Sequence, residues 1–136
     1  MKLGVYTALF SNLPLDEALQ YLQTRGIHMV EIGCGGYSGV FHADPDILLK
    51  DENALHHFQA TLEKHEMQIS ALNCSGNPVH PQQAIATSFH QAYEKGVLLA
   101  EQLRVDTVIT FAGCPGGSET AQQPNWVTCF WPPEIW

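Results

Sequence analysis

Three cysteines are spaced at one fixed interval along the chain. Cys34, Cys74 and Cys114 each lie 40 residues from the next, and a glycine follows each of them two positions later. Thiolates are good zinc ligands, so three of them converging in the fold would make a metal site. Structural zinc cysteines usually come in close pairs such as Cys-x-x-Cys, and the sequence has no such pair. The pattern therefore favours small buried thiols that pack where strands end.

The 40-residue interval matches the length of one strand plus one helix. Four apolar runs rich in β-forming residues are predicted to be strands, at 3–10, 27–32, 67–72 and 105–111. Segment 33–50 contains four glycines and little periodicity, which predicts a long loop. Residues 113–136 lack a helical pattern and are predicted to form an irregular tail.

Three helices are predicted between these strands, each with apolar residues at the spacing of one buried face. These residues are Leu15, Ala18, Leu19 and Leu22 in the first, Leu55, Phe58 and Leu62 in the second, and Ile85, Phe89, Ala92, Ala100 and Leu103 in the third. Gly26 suits the C-terminal end of the first helix, and Asp51 is a good N-cap for the second. Pro81 suits the first turn of the third helix, which runs to about Arg104.

The alternation of strands and helices specifies a parallel α/β sheet with right-handed crossovers. A doubly wound nucleotide-binding sheet should carry a Gly-rich turn after its first strand, but residues 9–14 contain no glycine. Segment 113–117 is Gly-rich, yet a Pro-containing tail follows it where a phosphate-binding helix would be needed. The (β/α)₈ barrel is therefore favoured. With 136 residues against roughly 250 for a complete barrel, about four of the eight β/α units are expected, a half-barrel.

Composition and charge exclude several classes of protein. The chain has 14 acidic and 6 basic side chains and a net charge of −8, which opposes binding to nucleic acid or to an anionic membrane surface. No apolar run approaches the roughly 20 residues of a membrane span, and the first residues show no signal peptide. A cytoplasmic location with free thiols is expected, although the even number of cysteines leaves a disulfide open.

Several motifs near the cysteines resemble one known family. They are Glu-Ile-Gly-Cys-Gly-Gly-Tyr at 31–37, Asn-Cys-Ser-Gly-Asn-Pro-Val-His-Pro at 73–81, Gly-Cys-Pro-Gly-Gly at 113–117 and Asn-Trp-Val at 125–127. The chain resembles the sugar phosphate isomerase/epimerase proteins of the xylose-isomerase-like TIM-barrel superfamily. The likeness runs through nearly all of the sequence, and segment 73–81 is its most specific part.

The resemblance implies a function for the longer protein. Proteins of this kind bind a divalent metal (Mn, Zn or Mg) through Glu, Asp and His and move a proton next to the carbonyl of a sugar or sugar phosphate. In the resembling enzymes the metal ligands and the two catalytic glutamates lie on the later strands. Residues 1–136 are thus expected to be the N-terminal half of such an enzyme. This half alone is expected to bind no metal and to be inactive. A sugar or inosose dehydratase of the same fold is the alternative reaction.

Five residues are candidates for contacts with a sugar. Glu31 ends an apolar strand, where a carboxylate is costly unless it is paired or bound to a ligand. Asn73 ends the next strand and suits sugar hydroxyls, or else stabilises a turn. His80, at the start of the third helix, can bind a metal or a hydroxyl as neutral imidazole, or act as a cap. Tyr6 either lines the pocket or packs in the core, and His42 either reaches the barrel mouth or is solvated.

A non-enzymatic alternative follows from the expected half-barrel. Its open edges and uncovered apolar inner face predict self-association of two copies. Three tail residues, Trp126, Trp131 and Trp136, suit either sugar stacking or such an exposed surface. A zinc-dependent endonuclease would have a related fold, but the net charge of −8 opposes DNA binding.

Overall fold

The computed structural model describes residues 2–125 of the chain. The strands are β1 (Val5–Tyr6), β2 (Met29–Gly33), β3 (Gln68–Asn73) and β4 (Val108–Ile109). The helices are α1 (Leu15–Gln23), α2 (Pro45–Leu48), α3 (Glu52–Lys64) and α4 (Gln83–Leu103), with short 3₁₀ helices at Thr7–Phe10 and Gly36–Ser38. The three tryptophans of the predicted tail, Trp126, Trp131 and Trp136, lie outside the described residues.

All four strands are parallel and follow one another in space in chain order, β1-β2-β3-β4. A doubly wound sheet reverses its strand order at a switch point, and these four strands show no reversal. Parallel strands of one sheet end at the same edge, so the loops after β1, β2, β3 and β4 share one rim. The predicted mixed α/β fold with a parallel sheet is confirmed.

One face of the sheet is covered by the helices. Apolar side chains of β2 and β3 meet the apolar faces of α1, α3 and α4, as the 3.6-residue spacing predicts. The core includes Leu19, Leu22, Val30, Ile32, Leu55, Phe58, Leu62, Leu72, Leu99 and Ala100. Each of these side chains is at most 7% exposed. Because side chains alternate along a strand, the residue between Val30 and Ile32 faces the opposite side.

The helix ends largely agree with their predicted signals. The Asp51 carboxylate accepts the backbone N–H groups of Asn53 and Ala54 at 2.9 and 3.2 Å and caps α3. Gly26 has φ +71°, the left-handed conformation expected after α1. Helix α4 begins at Gln83, two residues after Pro81, so this proline precedes the helix and does not form its first turn.

Three predicted segments differ from the structure. The first run is extended only at Val5–Tyr6 and continues as a 3₁₀ helix, since a short apolar run fits strand and helix equally. The fourth run pairs only at Val108–Ile109, because left-handed Arg104 and the bond from Val105 N–H to the Ala100 carbonyl (2.8 Å) keep its start in the end of α4. The loop 33–50 contains a 3₁₀ turn and α2, which Asp44 caps.

No helix within residues 2–125 is both long enough and apolar enough to cross a membrane. The described part of the predicted tail, 113–125, contains neither helix nor strand.

Candidate functional site

Glu31 and Asn73 meet at the carboxyl end of the sheet. Glu31 lies in β2 between the core residues Val30 and Ile32, so it points to the face away from the helices. Asn73 is the last residue of β3 and pairs with Gly33. Its Nδ2 donates a hydrogen bond to Glu31 Oε1 at 2.6 Å. Since only the amide nitrogen can donate to a carboxylate, this contact fixes the orientation of the Asn73 side chain.

Two serines hold the other end of the Asn73 amide. Asn73 Oδ1 accepts the backbone N–H of Ser75 at 3.1 Å and the Ser75 hydroxyl at 2.7 Å. It also accepts a short hydrogen bond from the Ser38 hydroxyl. The turn role weighed for Asn73 and its contact with the predicted site residue Glu31 therefore coexist. We name Glu31, Asn73, Ser38 and Ser75 the rim cluster.

Gly36 allows the loop that carries Ser38 to approach β3. It has φ +61°, and a Cβ placed on it would lie 2.0 Å from the Ser75 carbonyl oxygen. The next residue, Tyr37, donates its backbone N–H to the same carbonyl at 2.7 Å. Ser38 and Ser75 were not predicted. Ser75 had a signal, because it lies within the specific segment 73–81, whereas Ser38 had none.

Tyr6 lies beside the rim cluster. It is paired with Glu31 across β1 and β2 and is half-buried. Burial is the main cause that raises the pKa of Tyr6; the hydrogen bond with Ser38 lowers it and the charge of Glu31 raises it further. The phenol therefore keeps its proton at neutral pH and is a hydrogen-bond donor. Tyr6 is thus paired with a member of the rim cluster, and its role in lining a sugar pocket stays a prediction.

The rim cluster contains a carboxylate and no cation. The hydrogen bond to Asn73 is the single hydrogen bond or ion pair that Glu31 forms within residues 2–125. All six basic residues of the chain lie outside the rim cluster. Lys50 and Lys95 contact Asp46, Lys64 contacts Asp16, Arg25 lies over the ring of Tyr21, Lys2 donates to Gln68, and Arg104 ends α4. This end of the site can accept hydrogen bonds from hydroxyls but offers no charge partner for an anion.

His80 is buried in the loop between β3 and α4, where it is 4% exposed. Its Nδ1 accepts the backbone N–H of Gln82 at 3.0 Å, so the proton of the neutral ring is on Nε2. Nε2 is buried and has no hydrogen-bond partner among the described residues. In this arrangement Nε2–H can donate to a ligand oxygen but cannot act as a metal ligand.

Burial lowers the pKa of His80, so the unfolded chain binds the proton more tightly than the folded chain. The stability from neutral His80 is thus present above about pH 6.5 and lost as pH falls through the lower folded pKa. His80→Asn keeps an acceptor for Gln82 and removes the titration. We expect a flatter dependence of the unfolding free energy on pH between about 7.5 and 5. Urea unfolding of both chains measures this, and parallel curves would contradict it.

His42 has a structural contact. Its Nε2 lies 3.0 Å from the Leu13 carbonyl oxygen, which can only accept, so Nε2 is the donor. The contact ties the loop after β2 to the segment before α1. The structure shows no hydrogen bond between His42 and the rim cluster.

Asn77 fastens the loop after β4 to the loop after β3. The side chain is fully buried. Its Nδ2 donates to the Cys114 carbonyl at 2.9 Å, and its Oδ1 accepts the Cys114 N–H at 2.8 Å. Gly113, at φ +86°, is required here because a Cβ would lie 2.7 Å from Asn77 Oδ1. These contacts order the rim next to His80.

The described residues do not provide a metal site. No group of three or more His, Cys, Asp or Glu side chains within residues 2–125 is placed to hold an ion. Cys34 and Cys74 lie directly after β2 and β3, but Cys114 lies five residues beyond Ile109, the end of β4. The divalent metal implied by the resemblance, whose ligands are expected on later strands, stays a prediction.

Nearly the whole length of this chain is similar to part of a curated protein. It is 36% identical over 137 aligned residues to the uncharacterized protein YfiH of Bacillus subtilis (strain 168), an alignment that covers 99% of this chain and 44% of that relative. The chain thus spans less than half the length of YfiH. No protein-family model matches it.

Proposed function

We propose that this chain is the N-terminal, sugar-contacting half of a (β/α)₈-barrel isomerase or epimerase. In the longer protein, a divalent metal and two glutamates on later strands would move a proton next to a carbonyl through an enediolate. The chain alone is expected to bind the sugar weakly and to be inactive. The 44% coverage of YfiH supports a longer protein, and the strand order β1-β2-β3-β4 is that of consecutive barrel strands.

The observation that carries this proposal is the Glu31–Asn73 pair at the carboxyl end of the sheet. Barrel enzymes place their active sites at this end. A carboxylate aligned by an amide accepts hydrogen bonds from sugar hydroxyls, and the Tyr6 phenol lies nearby. A dehydratase of the same fold would use the same contacts, so the rim cluster favours a sugar ligand without choosing between the two reactions.

The apolar side chains of the rim support a carbohydrate ligand. Each of the four loops after the strands exposes at least one large apolar residue, among them Leu9, Phe41, Val79 and Phe111. Sugars combine hydroxyls with apolar C–H faces, and aromatic rings stack on those faces. The lack of a basic residue in the rim cluster favours a neutral sugar over a phosphorylated group at this end of the site.

Glu31→Gln tests the proposal, because it keeps the size of the side chain and removes its charge. We expect the variant to bind a neutral ketose such as D-fructose about tenfold more weakly, since hydrogen bonds to charged groups contribute about 1.5 kcal/mol. Saturation-transfer NMR titration measures the affinity, with D-fructose 6-phosphate as the charged comparison. Glu17→Gln, on the exposed surface of α1, is the matched control. Equal binding by wild type and Glu31→Gln, or no sugar binding, would contradict the proposal.

Self-association is a second candidate function. Strands β1 and β4 each pair on one side only among the described strands, and the loops of the rim expose large apolar residues. Sedimentation velocity at several concentrations separates the two candidates. A stable dimer without sugar affinity would favour the non-catalytic half-barrel, whereas a monomer that binds sugar would exclude it.

A further inference from the structure

Cys34 and Cys74 are neighbours at the ends of adjacent strands. They directly follow Gly33 and Asn73, which are paired, and the Cys34 N–H bonds to the Asn73 carbonyl at 2.9 Å. Neighbouring strands lie roughly 4.7–4.9 Å apart. The Cα atoms of a disulfide usually lie about 4.4–6.8 Å apart, so the backbone spacing suits a cross-link.

Both thiols point to the same side, toward Gly96 of α4. A Cβ placed on Gly96 would lie 3.2 Å from Cys34 Sγ and 3.8 Å from Cys74 Sγ. The missing side chain of Gly96 thus leaves room for the two sulfur atoms together. Both cysteines are free thiols and at most 2% exposed.

A cavity reaches Cys34, one of the two thiols. It has a volume of about 250 Å³ and is lined by Cys34 and Gly35 on the sheet side and by Gln91 and Ala92 of α4. Its wall includes the exposed Asp46, so it reaches the protein surface. The Cys34 thiol hydrogen-bonds to Cys74, which raises the pKa of Cys34 and lowers that of Cys74. A lower pKa increases the thiolate fraction of Cys74, which suits it to attack a mixed disulfide formed at Cys34, the thiol that lines the cavity.

We propose that Cys34 and Cys74 form an oxidisable thiol pair, a modification site that a low-molecular-weight disulfide converts to an intramolecular disulfide. One protein thiolate attacks a sulfur of the reagent, breaks its S–S bond and releases one small thiol. The second protein thiolate then attacks the mixed disulfide and releases the other small thiol. The protein loses two electrons and two protons, and the reagent is reduced to two thiols. The new bond joins β2 and β3 beside Asn73 of the rim cluster.

The test uses the Cys114→Ser/Cys129→Ser double variant, which keeps only these two thiols; Cys129 lies outside the described residues. We expect glutathione disulfide to remove both free thiols in a thiol titration. Intact mass should fall by two hydrogen atoms, with no glutathionyl group retained. Tryptic digestion should give a peptide 26–50 joined to 65–95. Cys34→Ser and Cys74→Ser in the same background should each retain glutathione or stay reduced.

Two results would overturn the proposal. One is that both thiols survive in the folded chain while the urea-unfolded chain reacts. The other is a stable glutathione adduct in place of the internal disulfide. If the double variant does not fold, the same peptide map on the wild-type chain decides the question, because Cys114 and Cys129 share one tryptic peptide, 105–136, apart from the other two cysteines.

Discussion

Asn73→Asp is expected to destabilise the folded chain by about 3 kcal/mol at pH 7, because it replaces the hydrogen-bond donor to Glu31 with a second carboxylate. Asn73 Nδ2 lies 2.6 Å from Glu31 Oε1, so the new oxygen atom would face a like charge at hydrogen-bond distance. The pair would relieve this repulsion by sharing one proton. In this variant, the pKa of the shared proton would be higher in the folded than in the unfolded chain. The loss of unfolding free energy should therefore shrink as pH falls toward about 5.

The compensating variant makes this prediction specific. In the Glu31→Gln/Asn73→Asp chain, the amide introduced on β2 can donate to the carboxylate introduced on β3, which restores one donor and one acceptor with their positions exchanged. We expect the double variant to recover most of the lost unfolding free energy and to lack the recovery at low pH. Urea unfolding of the four chains of this cycle measures both effects. Additive losses, without rescue, would show that the contact between Glu31 and Asn73 does not hold the rim together.

Asn77→Ala is expected to have the second-largest effect and to lower the unfolding free energy by about 2–3 kcal/mol. The reason is that it leaves the N–H and C=O groups of Cys114 without the Asn77 side chain as partner. Asn77 is fully buried, so the variant also leaves a cavity. The loop 113–125 should detach from the loop after β3. Cleavage by a Glu-specific protease after Glu119 should therefore become faster.

Two variants act as controls for this effect. Asn12→Ala removes an exposed amide and should change neither stability nor cleavage at Glu119. Asn77→Asp keeps the acceptor for the Cys114 N–H but buries a charge whose second oxygen faces the Cys114 carbonyl oxygen, so at pH 7 it should destabilise the chain at least as much as Asn77→Ala. Unchanged cleavage after Glu119 in Asn77→Ala would mean that other contacts hold the loop.

The helices were predictable because their sequence pattern and their packing agree. Helices α1, α3 and α4 carry long apolar faces, and Asp51 and Gly26 mark two of their ends. Helix α2 has only four residues, too few for periodicity, although its Asp-Pro start is a helix signal. Strands β1 and β4 are shorter than predicted because strand length depends on pairing with a neighbour, which no local pattern records.

The candidate site was partly predictable, because the order of the strands alone brings some of its residues together. Glu31 and Asn73 lie near the ends of consecutive parallel strands, so their closeness follows from topology alone. Ser38 enters the rim cluster only because Gly36 turns the chain against Ser75, and this approach requires the three-dimensional fold. The exact protonation pattern of His80 likewise depends on one contact, the N–H of Gln82.

The cysteine interval predicted the strand ends but not the packing of the thiols. Cys34 and Cys74 come side by side because β2 and β3 are adjacent and their ends are aligned. Cys114 departs from this pattern because β4 ends early, at Ile109, and the chain then follows the Asn77 contact. A constant interval along the sequence therefore gives equivalent positions only where the strands have equivalent lengths.

We propose that the carboxyl end of this sheet binds a neutral sugar through the rim cluster. The most direct measurement is a titration of the ¹⁵N-labelled chain with D-fructose, followed by the amide resonances. We predict that shifts will concentrate at Glu31, Asn73, Ser75 and the neighbouring Tyr6, and that Glu31→Gln will need about tenfold more sugar to produce them. Shifts confined to other surfaces, or an unchanged spectrum at saturating sugar, would contradict the claim.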